Sequence, residues 1–560
     1  MNRPTNSNPN GASAIGSFFV GAFFLVVAGY WPAFMGGAAN AASDLYSSIF
    51  TFFAYVCFGA GFFGLYGTWR RKIKREESER PSGIFGEAEF ATVQECQDAG
   101  LLDPEGLYLG VLDHLPLFYK GKAHLLTVAP ARQGKATDVV LPNLFHCGDD
   151  SIVVTDPKGE LAAVTAEHRR KRFGQKVVVL NPWGLYDLPQ DRINPLEGLI
   201  ALASDPARQR GLTDEVKAIA LQLLPEPEDT RNRFFREGSR EILRGAFLYL
   251  ALCSPKRCTL PEAWRIIANP RRFGRAVDVM RRSEALGGLL ADIGDNLAYQ
   301  IEDNPDHFAD FRAGAVQALD IYEPSGYLAD AVSGSDVSLS DLKAEDVTLY
   351  LAFPQDRIAS HGTALGLIVN QAITAVARAP ERGQVLFLLD EFANLGKLAG
   401  LAESLTALPG LGVRVWMFVQ ELAELNKIYG PHTARTIQSQ AEVKQFFAVQ
   451  DLELAKTLSD ALGQKTVKTR NFNLGRKESD EVGESLSETG RPLMTPDEIR
   501  MMPADEQLLL IKRLKPIKAM RYAFWFFWPW RKWAMPHPTE GKPPKEEPIA
   551  RLGYALKGMK

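Results

Sequence analysis

The chain has 560 residues, a formal net charge of −3 and 46% apolar residues, a composition that indicates a globular protein large enough for several domains. The small net charge excludes a globally basic nucleic-acid-binding surface, so a polyanion would have to meet local basic patches or a pore. The cysteines show no zinc-binding spacing and are most simply free thiols in a reducing compartment: Cys57, Cys96, Cys147, Cys253 and Cys258.

The N-terminal region contains two long uncharged segments. Residues 14–34 and 45–69 carry no Asp, Glu, Lys or Arg, and each reaches the ~20 residues that a helix needs to cross the bilayer core. Arg3 precedes the first segment, and a basic cluster at 70–75 follows the second. The positive-inside rule therefore predicts a transmembrane helical hairpin with both chain ends in the cytoplasm. A cleaved signal peptide is the alternative for the first segment, and the second would still anchor the chain.

Residues 123–145, AHLLTVAPARQGKATDVVLPNLF, have the layout of a phosphate-binding loop. An apolar strand enters a short Pro/Gly turn, the turn ends in Gly-Lys, and an apolar helix follows, whose N-terminus would face the anion. Backbone N–H groups of the turn and the Lys135 ammonium would bind phosphate oxygens. The match to G-x-x-x-x-G-K-[ST] is incomplete, because Ala129 and Ala136 replace the first glycine and the Mg²⁺-binding hydroxyl, and Thr137 is the nearest hydroxyl. An ordinary strand-turn-helix connection is the alternative.

Between the loop and the next motif, the pattern predicts an α/β domain with a helical insert. From Leu199 to Gly326 the 3.6-residue periodicity dominates and β-branched runs vanish, so this interval is predicted to be all-helical. Outside it, apolar strand runs alternate with helices, as in a doubly wound fold, and occur at 151–155, 176–180, 347–353 and 413–420.

A second motif of a phosphate site lies far along the chain. Residues 384–391, QVLFLLDE, form a continuous apolar run that ends in two carboxylates, as a buried parallel strand does where it reaches a ligand site. We expect Asp390 to orient Mg²⁺ or its water shell and Glu391 to polarise the water that attacks the γ-phosphate. With the Gly-Lys loop in the same chain, nucleotide hydrolysis becomes the leading functional prediction.

Two basic clusters are local candidates for DNA contact, although each is more simply a solvated face unless it lines a pore. One is the run RRKR at 169–172, and the other lies in the helical interval and comprises Arg271, Arg272, Arg275, Arg281 and Arg282. The chain ends in an aromatic segment that begins at Phe524. From Pro536 its Pro/Lys/Glu-rich composition predicts disorder.

These motifs, in this order, resemble the TraG/TraD-type coupling proteins, the membrane ATPases of conjugative type IV secretion systems. The similarity covers nearly the whole chain and includes the two-span N-terminus, APxRxGK…VLPNLF, VTDPKGEL, INPLEGL, LLDEFANLG, VRVWMFVQELAELNKIYG and RPLMTPDEIRMMP. The resemblance implies a RecA-like P-loop NTPase of the bacterial inner membrane that uses ATP and Mg²⁺ and assembles as a hexamer around a pore. It would deliver relaxase-bound single-stranded DNA, or effector proteins, to the secretion channel.

The resemblance also implies roles for individual residues. Asp390 and Thr137 would hold Mg²⁺, and Glu391 would act on the catalytic water. Gln420, at the end of a strand, resembles the γ-phosphate-sensing glutamine of the family. The phosphate-binding residues would be Ala129, Pro130, Ala131, Arg132, Gln133, Gly134, Lys135, Ala136 and Thr137.

A ring ATPase is expected to receive an arginine finger from a neighbouring subunit, because charge develops on the γ-phosphate in the transition state. Arg357, just past a predicted strand, is the first candidate and Arg132 the second. A surface-loop arginine is an equally good interpretation of Arg357.

The predicted domains follow from these motifs. A membrane anchor occupies 1–75 and an aromatic, then disordered, tail occupies 524–560. The nucleotide-binding domain is formed by 76–198 and 327–523, and the all-helical insert at 199–326 interrupts it. Two alternative functions stay open. One is a membrane-anchored duplex-DNA translocase of the FtsK kind, and the other is a catalytically inactive scaffold, because Ala136 removes the usual metal-binding hydroxyl.

Overall fold

The computed structural model describes residues 9–34, 41–79, 81–226, 232–380, 383–473 and 483–545. The chain divides into two compact units. The first unit comprises residues 1–88 and 462–493, and the second comprises 89–461 and 494–560. The return of 462–493 to the N-terminal unit is not indicated by the sequence, which places these residues in the predicted nucleotide-binding domain.

The strands of the described residues are, in chain order, β1 (Leu107–Leu112), β2 (Leu115–Tyr119), β3 (His124–Val128), β4 (Ser151–Thr155), β5 (Lys176–Leu180), β6 (Val347–Leu351), β7 (Val385–Leu389), β8 (Val413–Val419), β9 (Ala441–Phe446), β10 (Gln464–Asn473), β11 (Gly483–Pro492), β12 (Glu506–Ile511) and β13 (Ile517–Met520). The first helices are α1 (Pro9–Phe34), α2 (Ala41–Glu79), α3 (Val93–Asp98), α4 (Leu141–His146) and α5 (Glu160–Arg172).

The helices between β5 and β7 are α6 (Glu197–Ser204), α7 (Leu212–Leu223), α8 (Arg233–Cys253), α9 (Leu260–Ala268), α10 (Pro270–Met280), α11 (Leu289–Asp303), α12 (Pro305–Leu319), α13 (Tyr327–Ala331), α14 (Asp341–Ala344) and α15 (Gln355–Arg378). The last helices are α16 (Leu401–Ser404), α17 (Leu422–Tyr429), α18 (Pro431–Gln440), α19 (Leu452–Leu462), α20 (Pro496–Arg500) and α21 (Trp528–Trp533).

In the first unit, α1 and α2 pack against each other. They contain two stretches long and apolar enough to cross a membrane, Ile15–Phe34 and Asp44–Ile73. Small residues lie in the contact, since Ala54 is fully buried, and the Ser47 hydroxyl donates a hydrogen bond to the Ala28 carbonyl at 3.0 Å. The predicted helices are therefore confirmed, and the second continues through the basic cluster to Glu79.

The same unit contains the antiparallel hairpin of β10 and β11, in which Gln464 is paired with Pro492. The segment that follows α2 adds to the edge of β10. The Gln464 carbonyl accepts the Ala88 N–H at 3.0 Å, and Thr466 N–H donates to the Gly86 carbonyl at 2.9 Å.

The second unit is built on a sheet that has eleven strands within the described residues, in the order β2-β1-β13-β12-β9-β3-β8-β7-β4-β6-β5. The strands from β9 to β5 are all parallel, and Leu125 of β3 pairs with Trp416 of β8. The other four strands form an antiparallel extension. Because the parallel strands end at one edge of the sheet, the loops that follow β3, β4, β7 and β8 meet there.

The predicted strands at 151–155, 176–180, 347–353, 384–389 and 413–420 are confirmed as β4, β5, β6, β7 and β8, and the strand before the Gly-Lys loop is β3. Between β5 and β6 the described residues contain helices and no strand, as expected for the interval from Leu199 to Gly326. The boundaries of an independent helical domain stay a prediction.

The structure agrees with neither interpretation of the basic run at 169–172, which the sequence predicts to be a DNA contact or a solvated face. Arg169 is fully buried, and its guanidinium donates to the carbonyls of Leu144 at 2.7 Å and Cys147 at 2.9 Å. The Arg172 guanidinium lies over the Trp533 ring at 4.0 Å. Half of the run is therefore used to hold the fold together, and neither a DNA track nor a simple solvated face describes it.

The C-terminal segment also differs from its prediction. Phe527 and Trp530 are buried against Tyr108 of β1, so the aromatic residues belong to the core. The prediction of disorder from Pro536 is wrong for 537–545, where His537 and Gly541 exchange two backbone hydrogen bonds of 2.6 and 2.9 Å. Met535 N–H donates to Val164 of α5 at 3.1 Å and holds this stretch against the sheet's helices. Residues 546–560 lie outside the described part of the chain.

Candidate nucleotide site

The loop after β3 forms a tight turn at the carboxyl edge of the sheet. Its left-handed residues are Arg132, with φ of 60°, and Gly134, with φ of 81°. A Cβ atom at Gly134 would lie 2.4 Å from Asp138 Oδ2, so this position requires glycine for both its conformation and its space. Ala129 is fully buried, and its N–H donates to the Val419 carbonyl at 3.0 Å. It has no left-handed conformation to satisfy, which explains why alanine serves in place of the first glycine.

Lys135 opens the helical segment after this loop, which begins as a π-helical turn, Lys135–Val140, and continues as α4. Its side chain is only 8% exposed, and the described residues provide no hydrogen-bond partner for its Nζ atom. A buried ammonium without a partner is costly, because it has lost its water and gained no acceptor. An anion in the loop would satisfy this group, so the structure fits a bound phosphate.

Two carboxylates stand at the end of β7. Asp390 Oδ1 accepts the N–H of Glu391 at 3.1 Å. Burial raises the pKa of the Asp390 carboxyl, while the charge of Lys135 opposes the rise. Burial also raises the pKa of Glu391, the charge of Asp390 raises it further, and Lys135 again lowers it. A carboxylate with a raised pKa is a stronger base, which suits Glu391 to accept a proton from water.

The backbone of Glu391 is left-handed, with φ of 52°, an uncommon state for a glutamate. Two side chains hold its carboxylate in place. Asn394 Nδ2 donates to Glu391 Oε2 at 2.6 Å, and Gln420 Nε2 lies 3.5 Å from Glu391 Oε1. Gln420 follows β8 directly, so the structure brings it beside the acidic pair that it is predicted to accompany.

Asp156 follows β4, the neighbour of β7 in the sheet. The hydroxyl of Thr155 donates to the Asp390 carbonyl at 2.9 Å and joins the two strand ends. Asp156 is 1% exposed, and its Oδ2 accepts the Ala162 N–H at 2.9 Å. Burial raises the pKa of this carboxyl to about 7. The sequence gives no role to Asp156 beyond the turn into α5, and the hydrogen bond agrees with that turn.

Arg521 supports the loop through hydrogen bonds that the sequence does not predict. Arg521 is 3% exposed and lies over the Phe447 ring at 3.7 Å. Its Nη1 donates to the Gln133 carbonyl at 2.9 Å and to Asp138 Oδ2 at 2.8 Å. The other Asp138 oxygen accepts the Thr137 hydroxyl at 2.7 Å. Nothing in the local sequence around Arg521 indicates this contact, because its partners lie several hundred residues earlier.

The loop and the acidic pair line one cavity of about 860 Å³, a volume typical of small-molecule sites. Its lining includes both acidic residues, Asp156, Lys158 and six of the nine predicted loop residues, namely Ala131, Arg132, Gly134, Lys135, Ala136 and Thr137. Ala129, Pro130 and Gln133 complete the loop outside the lining.

Arg357 is not brought to this cavity. It lies in the first turn of α15, is exposed, and contacts Asp356 at 3.4 Å. Its neighbour Gln355 does line the cavity. The role of Arg357 as an arginine finger concerns a second copy of the chain and stays a prediction.

Comparison with known proteins identifies relatives of this chain. The family model described as "Type IV secretory system Conjugative DNA transfer" matches residues 87–539. The chain is 26% identical over 411 residues to protein VirD4 of Agrobacterium fabrum (strain C58 / ATCC 33970), with 72% of this chain and 58% of VirD4 covered. It is 27% identical over 496 residues to conjugal transfer protein TraG of Escherichia coli, with 79% and 75% covered. The chain thus spans little more than half the length of its VirD4 relative.

Solved structures of the plasmid coupling protein TrwB share the fold. The unbound form of TrwBdeltaN70 superposes with a TM-score of 0.55 at 18% identity, covering 78% of this chain and 95% of that one. TrwB bound to the non-hydrolysable ATP analogue ADPNP superposes with a TM-score of 0.56 at 17% identity, covering 78% and 93%. A further TrwB structure holds ADP and Mg²⁺. With the family model matching most of its length, the chain belongs to the conjugative DNA transfer family of type IV secretory systems.

Proposed function

We propose that this chain is a membrane-anchored ATPase that recruits relaxase-bound single-stranded DNA, or an effector protein, and drives it into a type IV secretion channel. The observation that carries the proposal is the buried Nζ of Lys135, which has no hydrogen-bond partner among the described residues and lies in the same cavity as Asp390 and Glu391. Membership of the conjugative DNA transfer family supports the secretion role. The nucleotide complexes of TrwB support ATP and Mg²⁺ as ligands.

In the proposed reaction, the loop N–H groups and Lys135 bind the phosphates of ATP. Asp390 and Thr137 would hold Mg²⁺, which supplies positive charge to the phosphate oxygens when bound. Glu391 accepts a proton from the attacking water as the water oxygen bonds to the γ-phosphorus and the bond from that phosphorus to the β,γ-bridging oxygen breaks, so that ADP leaves with the bridging oxygen. Gln420, beside Glu391, would hold the water or the γ-phosphate in line and so sense the γ-phosphate.

The proposed assembly is a hexamer around a pore, with Arg357 of each subunit reaching the neighbouring site as the arginine finger. The α1–α2 hairpin would anchor each subunit in the bacterial inner membrane as a multi-pass protein with cytoplasmic termini, because the basic residues at 70–75 follow the second span. DNA and secretion-channel components would be the partners. This assembly would place six sites around one substrate path.

Phosphate release by the full chain in lipid nanodiscs tests the proposal. Glu391→Gln should retain ATP binding and hydrolyse ATP at least ~10²-fold more slowly, the usual scale for loss of a positioned base. Lys135→Ala should lose binding and conjugative transfer. Glu453→Gln, an exposed glutamate on α19, is the matched control.

Unchanged turnover in Glu391→Gln would assign the catalytic base to another residue. Absence of any DNA-stimulated phosphate release by the wild type would instead favour the inactive scaffold. Stimulation by duplex DNA alone, with no effect of single strands, would favour the duplex-translocase alternative.

A further inference from the structure

The cavity at the nucleotide site has a second wall that the phosphate-binding residues do not form. This wall consists of the aromatic residues that follow Arg521 and of residues 535–545, which we call the C-terminal strap. Its members in the cavity lining are Phe524, Trp525, Met535, His537, Glu540, Gly541, Lys542, Pro543 and Pro544. The wall lies next to the phosphate loop, because Arg521 itself contacts Gln133.

The strap is held on this wall by its own hydrogen bonds. Its turn is closed by the two backbone hydrogen bonds between His537 and Gly541. His537 Nδ1 accepts the Glu540 N–H at 3.2 Å, so its proton is on Nε2. That Nε2 faces Glu160 Oε2 at 3.5 Å. Glu160 is the first residue of α5, and the Val164 carbonyl of the same helix accepts the Met535 N–H. Met535 and His537 of the strap therefore both contact α5.

Trp525 gives this wall a surface suited to an aromatic ligand. Its ring meets Phe524 edge-on, with centroids 5.2 Å apart, and Phe526 at 6.4 Å. The indole Nε1 is buried, and no hydrogen-bond acceptor for it exists in the described part of the chain. An indole offers one donor and no acceptor, so it suits a ligand with an aromatic face and an acceptor at its edge.

Phosphates fill only one part of a nucleotide, and Lys135 marks where they lie. The remaining part is a purine base with ring-nitrogen acceptors and a ribose with hydroxyl groups. Glu540 in the strap is a carboxylate that can accept hydrogen bonds from such hydroxyls. We propose that Trp525 and the C-terminal strap form the nucleoside-binding wall of this cavity, so that the last described segment of the chain completes the ATP site. The inference rests on the proposed function.

Binding of two ligands to the full chain distinguishes the binding role of the wall from that of the phosphate loop. ATP carries the nucleoside, and inorganic tripolyphosphate carries the phosphates alone. By titration calorimetry, Trp525→Leu and His537→Ala should each weaken ATP binding at least about tenfold, a loss of about 1.4 kcal/mol. Each should leave tripolyphosphate affinity within about twofold, because the loop is untouched. Trp528→Leu is the matched control, since Trp528 is outside the described lining of the cavity.

Lys135→Ala is the reference variant for loss of phosphate contacts, and it should weaken the binding of both ATP and tripolyphosphate. If Lys135→Ala weakens both and Trp525→Leu weakens neither, the nucleoside lies elsewhere and the inference is wrong. An equal loss of affinity for ATP and for tripolyphosphate in Trp525→Leu would also overturn the inference, because Trp525 would then act through the phosphate loop. Tighter ATP binding in His537→Ala would show that the strap excludes nucleotides. If Lys135→Ala changes neither ligand, the proposed ATPase site itself fails.

Discussion

Arg521 and Asp138 form a largely buried ion pair directly under the Gly-Lys loop. Burial raises the pKa of Asp138, while the Arg521 charge lowers it. Such a pair contributes little net stability over a well-packed apolar pair, but removal of one partner leaves the other charge uncompensated. The arginine also holds the Gln133 carbonyl, so the pair couples loop conformation to fold stability.

We predict that Arg521→Met destabilises the protein by about 3–5 kcal/mol and weakens ATP binding, because Asp138 loses its partner. Thermal unfolding and calorimetric ATP binding measure the two effects. Arg500→Met, on the exposed end of α20, is the control and should change neither. The double variant Arg521→Met/Asp138→Asn should recover part of the stability. A double variant no more stable than Arg521→Met would contradict this explanation.

Asp156 should give the stability of the protein a pH dependence. Its pKa is raised from 3.8 to about 7 in the folded state, so the folded protein keeps this proton between pH 4 and 7 while the unfolded chain releases it. The free energy of unfolding therefore falls as pH rises through this window, by roughly 4 kcal/mol.

Asp156→Asn cannot ionise and can still accept the Ala162 N–H. We therefore expect the variant to unfold at nearly the wild-type temperature at pH 4 and at a higher temperature at pH 8. Thermal denaturation at several pH values measures this difference, with Asp310→Asn on α12 as the exposed control. The same pH profile in wild type and Asp156→Asn would disprove the role of this carboxyl.

At the scale of elements, α15 is positioned by two glycines that face the turn after Glu391. A Cβ at Gly362 would lie 2.2 Å from the Asn394 carbonyl oxygen, and one at Gly366 would lie 2.2 Å from that of Leu395. The helix can therefore approach this backbone only because both positions lack a side chain. Since Asn394 holds the Glu391 carboxylate, the contact also sets the geometry of the proposed base.

Gly362→Ala should push the turn away from α15 and displace Glu391. We predict a loss of hydrolysis of at least about tenfold with ATP affinity within about threefold, because a small misplacement of a reacting group affects the rate far more than binding. Phosphate release and calorimetry on the same preparation measure the two. Gly274→Ala on α10, where a Cβ would meet nothing within 4 Å, is the matched control. Equal loss of binding and hydrolysis would disprove a specific effect on Glu391.

The elements differ in how well their sequences predict them. Strands β3, β4, β6, β7 and β8 are buried along their whole length and β5 over its last three residues, and all six have mostly apolar sequences, so each is predicted at nearly its observed position. Strand β9 is missed, because Glu442 and Lys444 alternate with its buried residues and interrupt the run. The strap is missed because backbone hydrogen bonds and one His–Glu contact hold it in place, and the amino-acid composition of the segment does not predict such contacts.

At the scale of the whole molecule, the candidate site combines residues from several stretches that are far apart in the chain. The Gly-Lys loop, the acidic pair and Gln420 each follow an apolar strand, and the rule that parallel strands end at one edge predicts that they meet. Arg521 and Trp525 follow β13, an antiparallel strand that lies between β1 and β12 and whose place beside the loop depends on the whole sheet order. No local pattern predicts such a contact.

The arginine cluster on α10 is a proposed substrate contact, and its members are not among the residues that line the cavity of the nucleotide site. Arg271, Arg272 and Arg275 are exposed, and α10 buries its other face through Phe273 and Val277. Reversal of these three charges to glutamate should weaken capture of single-stranded DNA in a salt-dependent way, because such contacts act through screened charge. Basal ATP hydrolysis should stay within about twofold.

Fluorescence anisotropy with a labelled oligonucleotide at several salt concentrations measures DNA capture, beside phosphate release from the same preparation. Reversal of three exposed basic residues outside both candidate clusters, Lys456, Arg500 and Lys512, is the matched control. Unchanged DNA affinity in the triple variant would leave this cluster a solvated face.

The sheet order has a consequence for how the chain is made. Strand β3, which carries the Gly-Lys loop, pairs on one side with β8 and on the other with β9, both far towards the C-terminus. On the ribosome, α1 and α2 emerge first, whereas β3 must wait for most of the chain before it has a partner. The two helices of the proposed membrane anchor are therefore complete long before the candidate nucleotide site is. A truncated product that lacks β8 and β9 would keep the proposed anchor without a complete candidate nucleotide site.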